Sequence, residues 1–186
     1  MNNIALKLNG AASDKERRSG DFYPTPPEVT IALLDFLKLP PMTVWEPACG
    51  DNAIVDVLLK RGHRVIATDI SKGHDYFYTQ HACDAIITNP PFNLAEEFIK
   101  KALKESDIVC MLLKSQYWHA VKRYKLFNSQ PPTFVLPLTW RPNFFFRDRI
   151  NGTPVMEFAW SVWVKGDLIT KYIPLLKPLK EKEEGK

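Results

Sequence analysis

The chain has 186 residues, of which 45% are hydrophobic in type, 25% charged and 12% aromatic, proportions that exclude a disordered or fibrous protein. At this length folding removes roughly 70% of the unfolded surface from water, so one domain with one substantial core is expected, with no need of disulfides or structural metal. The net charge is only +4, too small to name a partner by itself.

Cys49, Cys83 and Cys110 are odd in number and widely spaced, which argues against a disulfide framework or a zinc site and for a reducing cytoplasm. No apolar run approaches the roughly 20 residues of a membrane span, and 1–20 lacks the apolar centre of a signal peptide.

Residues 1–20 mix Asn, Gly, Ala, Ser and charge without a usable period, the pattern of a flexible N-terminal arm. Three prolines stiffen 21–27, after which Val29, Ala32, Leu33 and Phe36 recur at helical spacing and predict a helix over 28–39. Thr25 is placed to cap it, with Pro26 in the first turn and Glu28 three residues on, as in a capping box. Short β-type runs then alternate with amphipathic helices: a strand at 43–45, a helix at 53–60, strands at 64–68 and 85–88, a helix at 94–104, a strand at 108–113 and a helix at 116–127. Such alternation predicts right-handed crossovers and a doubly wound, mostly parallel α/β sheet. The last third is β-rich at 133–138 and 155–164, which predicts an antiparallel hairpin closing one edge. The domain proper therefore spans 21–166, and a tail at 167–186, rich in Lys, Glu and Pro from Leu175, is expected to fray.

In an open parallel sheet, ligands bind outside the carboxyl ends of the strands. After the first strand comes Glu46-Pro-Ala-Cys-Gly-Asp51, where Gly50 lets the backbone approach a ligand closely. Asp69 ends the second strand, where a carboxylate can accept hydrogen bonds from both hydroxyls of a ribose, or simply serve as a turn residue. The turn lacks the full G-x-G-x-x-G pattern, so a dinucleotide is disfavoured. Asn89-Pro-Pro-Phe92 follows the next clear strand. Two prolines fix that turn and leave carbonyls without competing donors. The Asn89 oxygen and the Pro90 carbonyl can then accept both hydrogens of a planar amino group, with Phe92 stacking on the attached ring. Alone, Asn-Pro-Pro is equally a turn. Combined with Glu46–Gly50 and Asp69, it reads as a site.

At these residues the chain resembles the S-adenosylmethionine-dependent DNA adenine N6-methyltransferases, over about Phe22 to Gly166. Glu46-Pro-Ala-Cys-Gly50 is similar to the family's cofactor motif, Asn89, Pro90, Pro91 and Phe92 to its catalytic tetrapeptide, and Phe22-Tyr-Pro-Thr-Pro26 to its N-terminal motif. The resemblance implies a Rossmann-like methyltransferase fold, S-adenosyl-L-methionine as cofactor and DNA as partner. It implies that Thr25 and Pro26 hold the methionine part over the turn of Glu46, Pro47, Ala48, Cys49 and Gly50. Asp69 would bind the ribose, and Asp75, with Tyr76 and Phe77 beside it, the adenine; Tyr23, Ile70 and Asn89 complete the cofactor set. Asp84 starts the following strand, although its spacing makes it a rival of Asp75. Two departures stand out. Asn52 occupies a position where the family often has a second small residue, and Asn tolerates the left-handed backbone better than other non-glycine residues. No stretch is long enough for the usual target-recognition region, which implies limited sequence specificity.

The N6 lone pair of adenine is delocalised into its ring, and hydrogen bonds to the Asn89 oxygen and Pro90 carbonyl would favour a tetrahedral nitrogen for in-line attack. The adenine must be flipped out or single-stranded, and no metal is required. Between Lys114 and Arg149 seven basic residues face the single acid Asp148, a local charge of +6, against −2 for the remainder. A polyanion partner and ordinary solvated surfaces fit this equally. Within it, Trp140 to Arg149 interleaves aromatics with arginines. The predicted nucleic-acid contacts are Arg141, Phe144, Arg147 and Arg149, with Lys122 and Arg123; closing of the core explains at least one of Phe144 to Phe146 as well. Three alternatives stay open: methylation of an RNA base, methylation of a protein glutamine amide, or a nucleic-acid-binding module without catalysis.

Overall fold

The computed structural model describes residues 24–144, 154 and 156–179. The N-terminal arm, Tyr23, Arg147 and Arg149 lie outside the described residues.

Helix α1 (Pro27–Leu37) starts directly after Pro26, whose extended backbone occupies the cap position, and ends at Lys38 in the left-handed conformation. The expected capping box does not form, because no side chain caps this helix and Thr25 is used elsewhere. Strand β1 (Thr43–Glu46) leads through a tight turn into α2 (Ala53–Lys60), and β2 (Arg64–Ala67) follows. Two single-turn 3-10 segments, Ile70–Lys72 and Tyr76–Tyr78, precede β3 (Ala85–Thr88). Next come α3 (Ala95–Glu105) and β4 (Ile108–Lys114).

The helix expected at 116–127 is absent. Two 3-10 turns, Ser115–His119 and Val121–Arg123, and a short α4 (Tyr124–Ser129) replace it. Tyr117, Trp118, His119 and Val121 are weak helix formers, and the fold uses Trp118 as an anchor. Its indole N–H donates to the Ser161 hydroxyl at 3.0 Å, and its ring packs on Phe127 and Trp163.

The seven strands among the described residues form one sheet in the order β2-β1-β3-β4-β6-β5-β7, with β5 (Phe134–Pro137), β6 (Phe158–Val164) and β7 (Lys171–Tyr172). Strands β1 to β4 are parallel, and β6 alone runs antiparallel to both of its neighbours. The antiparallel β5–β6 pair is therefore present, but it does not form the edge. Strand β7 lies outside it, parallel to β5, and Leu175 bridges Leu138. The segment expected to fray from Leu175 is tied down there: Ile173 and Leu175 N–H groups donate to Val135 and Pro137, and Leu175 is buried.

Successive strand residues face opposite sides, and the core divides accordingly. On one face Val44, Ile87, Leu112, Leu136 and Trp160 pack against Val29 and Leu33 of α1 and Leu58 of α2. On the other, Trp45, Ile86, Met111 and Trp163 pack against Phe98 and Ile99 of α3 and Leu126 of α4. The two largest fully buried side chains also satisfy their polar atoms. The Trp45 indole donates to Thr68 Oγ1 at 2.8 Å and the Trp160 indole to the Val29 carbonyl at 3.0 Å.

Candidate active site

Chain order reverses at β1: β2 lies on one side of it and β3 on the other. Such a switch point opens a crevice at the carboxyl ends of the two central strands. The Glu46–Gly50 turn leaves β1 here and Asn89 leaves β3, and the two meet over a cavity of about 770 Å³. Its wall includes Thr25, Glu46, Pro47, Ala48, Cys49, Gly50, Asp69, Ile70, Asp75, Asn89 and Pro91. Residues widely separated in sequence are thereby gathered around one volume, of the size that holds a small molecule.

Gly50 takes a φ of 48° and Asn52 one of 69°. The turn thus uses the left-handed region at both positions, which glycine and asparagine tolerate best. Asp69 braces it. Its Oδ2 accepts the Gly50 N–H at 2.8 Å, and its Oδ1 accepts the Ser71 N–H at 2.8 Å and the Ser71 hydroxyl at 2.5 Å. Burial pushes this carboxyl up, yet the Ser71 and Gly50 hydrogen bonds and the Lys72 charge bring it below its ordinary value, so it is ionised. A carboxylate offers about four acceptor positions. Three are taken, so Asp69 has room for one further donor rather than two.

Glu46 is fully buried at the end of β1. Its Oε1 accepts the Thr88 hydroxyl at 2.5 Å and the Ala48 N–H at 3.3 Å, while Oε2 is buried without a hydrogen-bond partner. Burial pushes its pKa up to about 8, against the smaller downward pull of those two hydrogen bonds. An acid in this position is neutral near pH 7 and acquires charge readily only when a cation arrives. Cys49 lies 3.2 Å from Lys72 Nζ, but burial still holds its thiol above the ordinary range.

Thr25 and Asn89 are 64 residues apart, and the Asn89 amide nitrogen donates to Thr25 Oγ1 at 3.1 Å. That bond sets the rotation of the amide at the rim of the cavity. At the opposite end, Asp75 caps the second 3-10 turn by accepting the Phe77 N–H at 2.9 Å, with Tyr76, Phe77 and Phe98 as aromatic wall. Asp84 accepts the Thr43 N–H at 2.7 Å at the start of β3, away from the cavity wall.

The comparisons with known proteins bear on the fold. No protein-family model matches the chain, and no curated protein matches its sequence. Among solved structures the chain is similar to a candidate RNA methyltransferase from Pyrococcus horikoshii, with TM-score 0.51 and 18% identity over 87% of this chain and 97% of that one. It is similar to a modification subunit of a candidate type I restriction enzyme from Vibrio vulnificus, with TM-score 0.55 and 14% identity over 96% of this chain and 51% of that one. A candidate hemolysin from Lactococcus lactis gives TM-score 0.53 and 12% identity over 82% of this chain and 93% of that one. The fold is the Rossmann-like methyltransferase fold.

In this methyltransferase fold, Pro26, Pro90 and Phe92 stand apart from the cavity wall. Pro26 and Pro90 are buried. Phe92 points toward β4 and β6, with its ring 5.9 Å from that of Phe158 and beneath the Lys114 ammonium at 4.5 Å. Two predicted nucleic-acid contacts are engaged inside the protein. Phe144 is buried with its ring 4.6 Å from Phe158, and the core claims it. Arg123 is buried, paired with Glu96 and lying 4.4 Å over the Tyr117 ring. Arg141 is exposed and paired with Glu157 at 2.8 Å, and Lys122 is exposed.

Several site residues escaped sequence reading. Thr88 orients Glu46 from the last position of β3, a position that reads only as a buried strand residue. Leu94, at the cap of α3, and Phe98 within it reach the cavity; their i, i+4 spacing is visible but indistinguishable from core. Lys114 counted only as one of several basic residues, although its place directly after an apolar run marks it as a strand end.

Proposed function

We propose that this protein transfers a methyl group from S-adenosyl-L-methionine to the exocyclic N6 amino group of adenine in DNA. The observation that carries the reading is the meeting of two turns over one cavity. Glu46–Gly50 bounds its inner side, and Asn89, its amide fixed by Thr25, stands at its rim.

The cavity fits the cofactor on three counts. Its volume is adequate at about 770 Å³. Glu46 offers a buried carboxyl with an orphaned oxygen, which suits the cationic methionine part. Asp69, Asp75, Tyr76 and Phe77 offer acceptors and rings for a nucleoside. When bound, S-adenosylmethionine supplies an electrophilic methyl group on a sulfonium sulfur.

The chain's own residues then have separate tasks. Thr25 holds the Asn89 amide so that its oxygen is oriented before the substrate arrives, and Pro90 and Pro91 deny the turn any freedom to relax. The Asn89 oxygen and Pro90 carbonyl accept the two hydrogens of the amine and favour its pyramidal form, a prepositioned stabilisation of the transition state. Phe92 takes the face of the extruded base, a stack contributing roughly 1 to 3 kcal/mol. The proton leaves the methylated amine for water. DNA is favoured over protein by Lys114, Lys122 and Lys125, since the two arginines of the stretch from Lys114 to Arg141 are paired with Glu96 and Glu157.

The test is transfer of labelled methyl groups to DNA with nucleoside analysis, alongside Asn89→Ala. N6-methyladenine is expected from the parent protein, and a loss of about 10²-fold or more from the variant. Label appearing only in RNA or in a glutamine side chain refutes the DNA reading.

A further inference from the structure

A second cavity, of about 830 Å³, lies on the far half of the sheet. Its floor is Val135 and Pro137 of β5 and Ala159 of β6, which share a face because Val135 pairs with Ser161 and Pro137 with Ala159. This is the face that α3 and α4 cover over the neighbouring strands, and among the described residues it stays open beyond α4. Trp118 and Phe127 wall one side and Tyr172 the other, while Ser115, His119, Thr139 and Arg141 stand at the carboxyl rim.

The two cavities share no lining residue; Phe92, next to Pro91 of the first, and Lys114, next to Ser115 of the second, are in contact between them. Lys114 ends β4 with its ammonium over the ring of Phe92, and the next residue, Ser115, already lines the second cavity. The pair Lys114 and Phe158 face each other across β4 and β6, and Phe158 packs near Phe92.

Resting on the proposed reaction, we propose that this cavity is a subsite for a nucleotide flanking the target adenine, on a single strand of DNA that crosses Lys114. The chemistry of the occupant follows from the lining. A flat aliphatic floor between aromatic walls suits a planar ring, and hydroxyl, imidazole and guanidinium groups at the rim suit the hydrogen-bonding edge of a base. Lys114, Lys122 and Lys125 supply the positive charge that suits a polyanion, since Arg123 is paired with Glu96 and Arg141 with Glu157, which also lines the cavity. A strand already paired in a duplex keeps its flanking base stacked and cannot offer it to the cavity, so selection of single strands follows.

The probe is a seven-nucleotide DNA strand of thymines around one central adenine. Each flanking thymine is replaced in turn by an abasic residue, and binding is measured by fluorescence anisotropy with the parent protein and with His119→Ala/Tyr172→Ala. Both side chains are exposed, and cofactor binding checks that the variant is folded. Removing one particular flanking base is expected to weaken binding about 10-fold, within the range for loss of one base–aromatic stack. The variant is expected to lose the same factor on the intact strand and to ignore that abasic position. Equal affinity for every abasic strand, or a variant as sensitive as the parent, overturns the subsite. So does equal binding of the duplex. Because methyl transfer is scored separately, a failed subsite with Asn89-dependent methylation leaves the reaction standing. A position-dependent abasic effect without methylation does the reverse.

Discussion

Replacing Glu46 by Gln should remove a pH dependence of stability that the wild-type protein carries. The carboxyl titrates at about 8 in the folded chain, against 4.5 ordinarily. Between these values the folded state keeps a proton that the unfolded state has released. Stability from this group is therefore complete below about pH 4.5 and falls as pH rises through about 8. At roughly 1.4 kcal/mol per pH unit, the loss between pH 5 and pH 9 amounts to about 4 kcal/mol. That is a large share of the 5 to 15 kcal/mol of a typical domain. The amide of Gln keeps the Oε1 acceptor for Thr88 and Ala48 but cannot ionise. Urea unfolding followed by tryptophan fluorescence at pH 5, 7 and 9 is the assay. The variant should be at most slightly less stable at pH 5 and clearly more stable at pH 9, so that the two profiles cross. Asp69 does not confuse the result, because its lowered pKa confines its contribution to acid: present above its ordinary value, lost as pH falls through the folded one. Parallel profiles from pH 5 to pH 9 would refute a buried, proton-holding Glu46. If a cationic ligand binds beside Oε2, binding near pH 7 should also release a proton in the parent and none in the variant, readable by calorimetry in two buffers.

Four other substitutions, at three positions, probe the site and its frame. Thr25→Val removes the hydroxyl 3.1 Å from the Asn89 amide; turnover, by labelled methyl transfer, should fall about 10-fold, at a stability cost of about 1 kcal/mol. Asn52→Val forces a β-branched residue to a φ of 69°, and denaturant titration should show about 1 to 2 kcal/mol lost. Trp160→Ala should cost about 3 to 5 kcal/mol, whereas Trp160→Phe keeps most of the ring, loses only the indole's hydrogen bond to the Val29 carbonyl and should cost about 1 kcal/mol by the same titration.

The parallel half of the fold was legible in the sequence because each strand there is a short apolar run bounded by clear punctuation. The helix at 53–60 and the strand at 85–88 match α2 and β3 residue for residue. Reading failed where tertiary packing overrode local pattern. Trp118 is pulled onto Trp163 and Ser161, and the predicted helix around it breaks into single turns. Ile173 and Leu175 alternate correctly for a strand, but two positions inside a charged tail are too few to notice. The cavity wall was legible to a greater degree, since turn chemistry after a strand is local. What local reading cannot supply is the partner from elsewhere in the chain: Thr88 on Glu46, Thr25 on Asn89, Lys114 on Phe92.

That last contact divides the molecule by task. Every proposed cofactor residue described comes from α1, the three strands β2, β1 and β3, or their connections, while β4, β6, β5 and β7 contribute none to the cavity wall. On the proposed reaction, substrate selection would fall to the other half, with Lys114 at the border. Its ammonium over the Phe92 ring is a cation–π contact of about 0.5 to 2 kcal/mol. A base that stacks on the same face of Phe92 must displace it, and the released ammonium is then beside the phosphate of that nucleotide. Lys114→Met keeps the length of the side chain and removes the charge. It should weaken DNA binding, reduce the slope of log affinity against log salt by about 0.7 for a single strand, and leave S-adenosylmethionine affinity unchanged. An unchanged salt slope would mean that Lys114 only covers Phe92, and the division of labour would then have to rest on Arg141 and its neighbours instead.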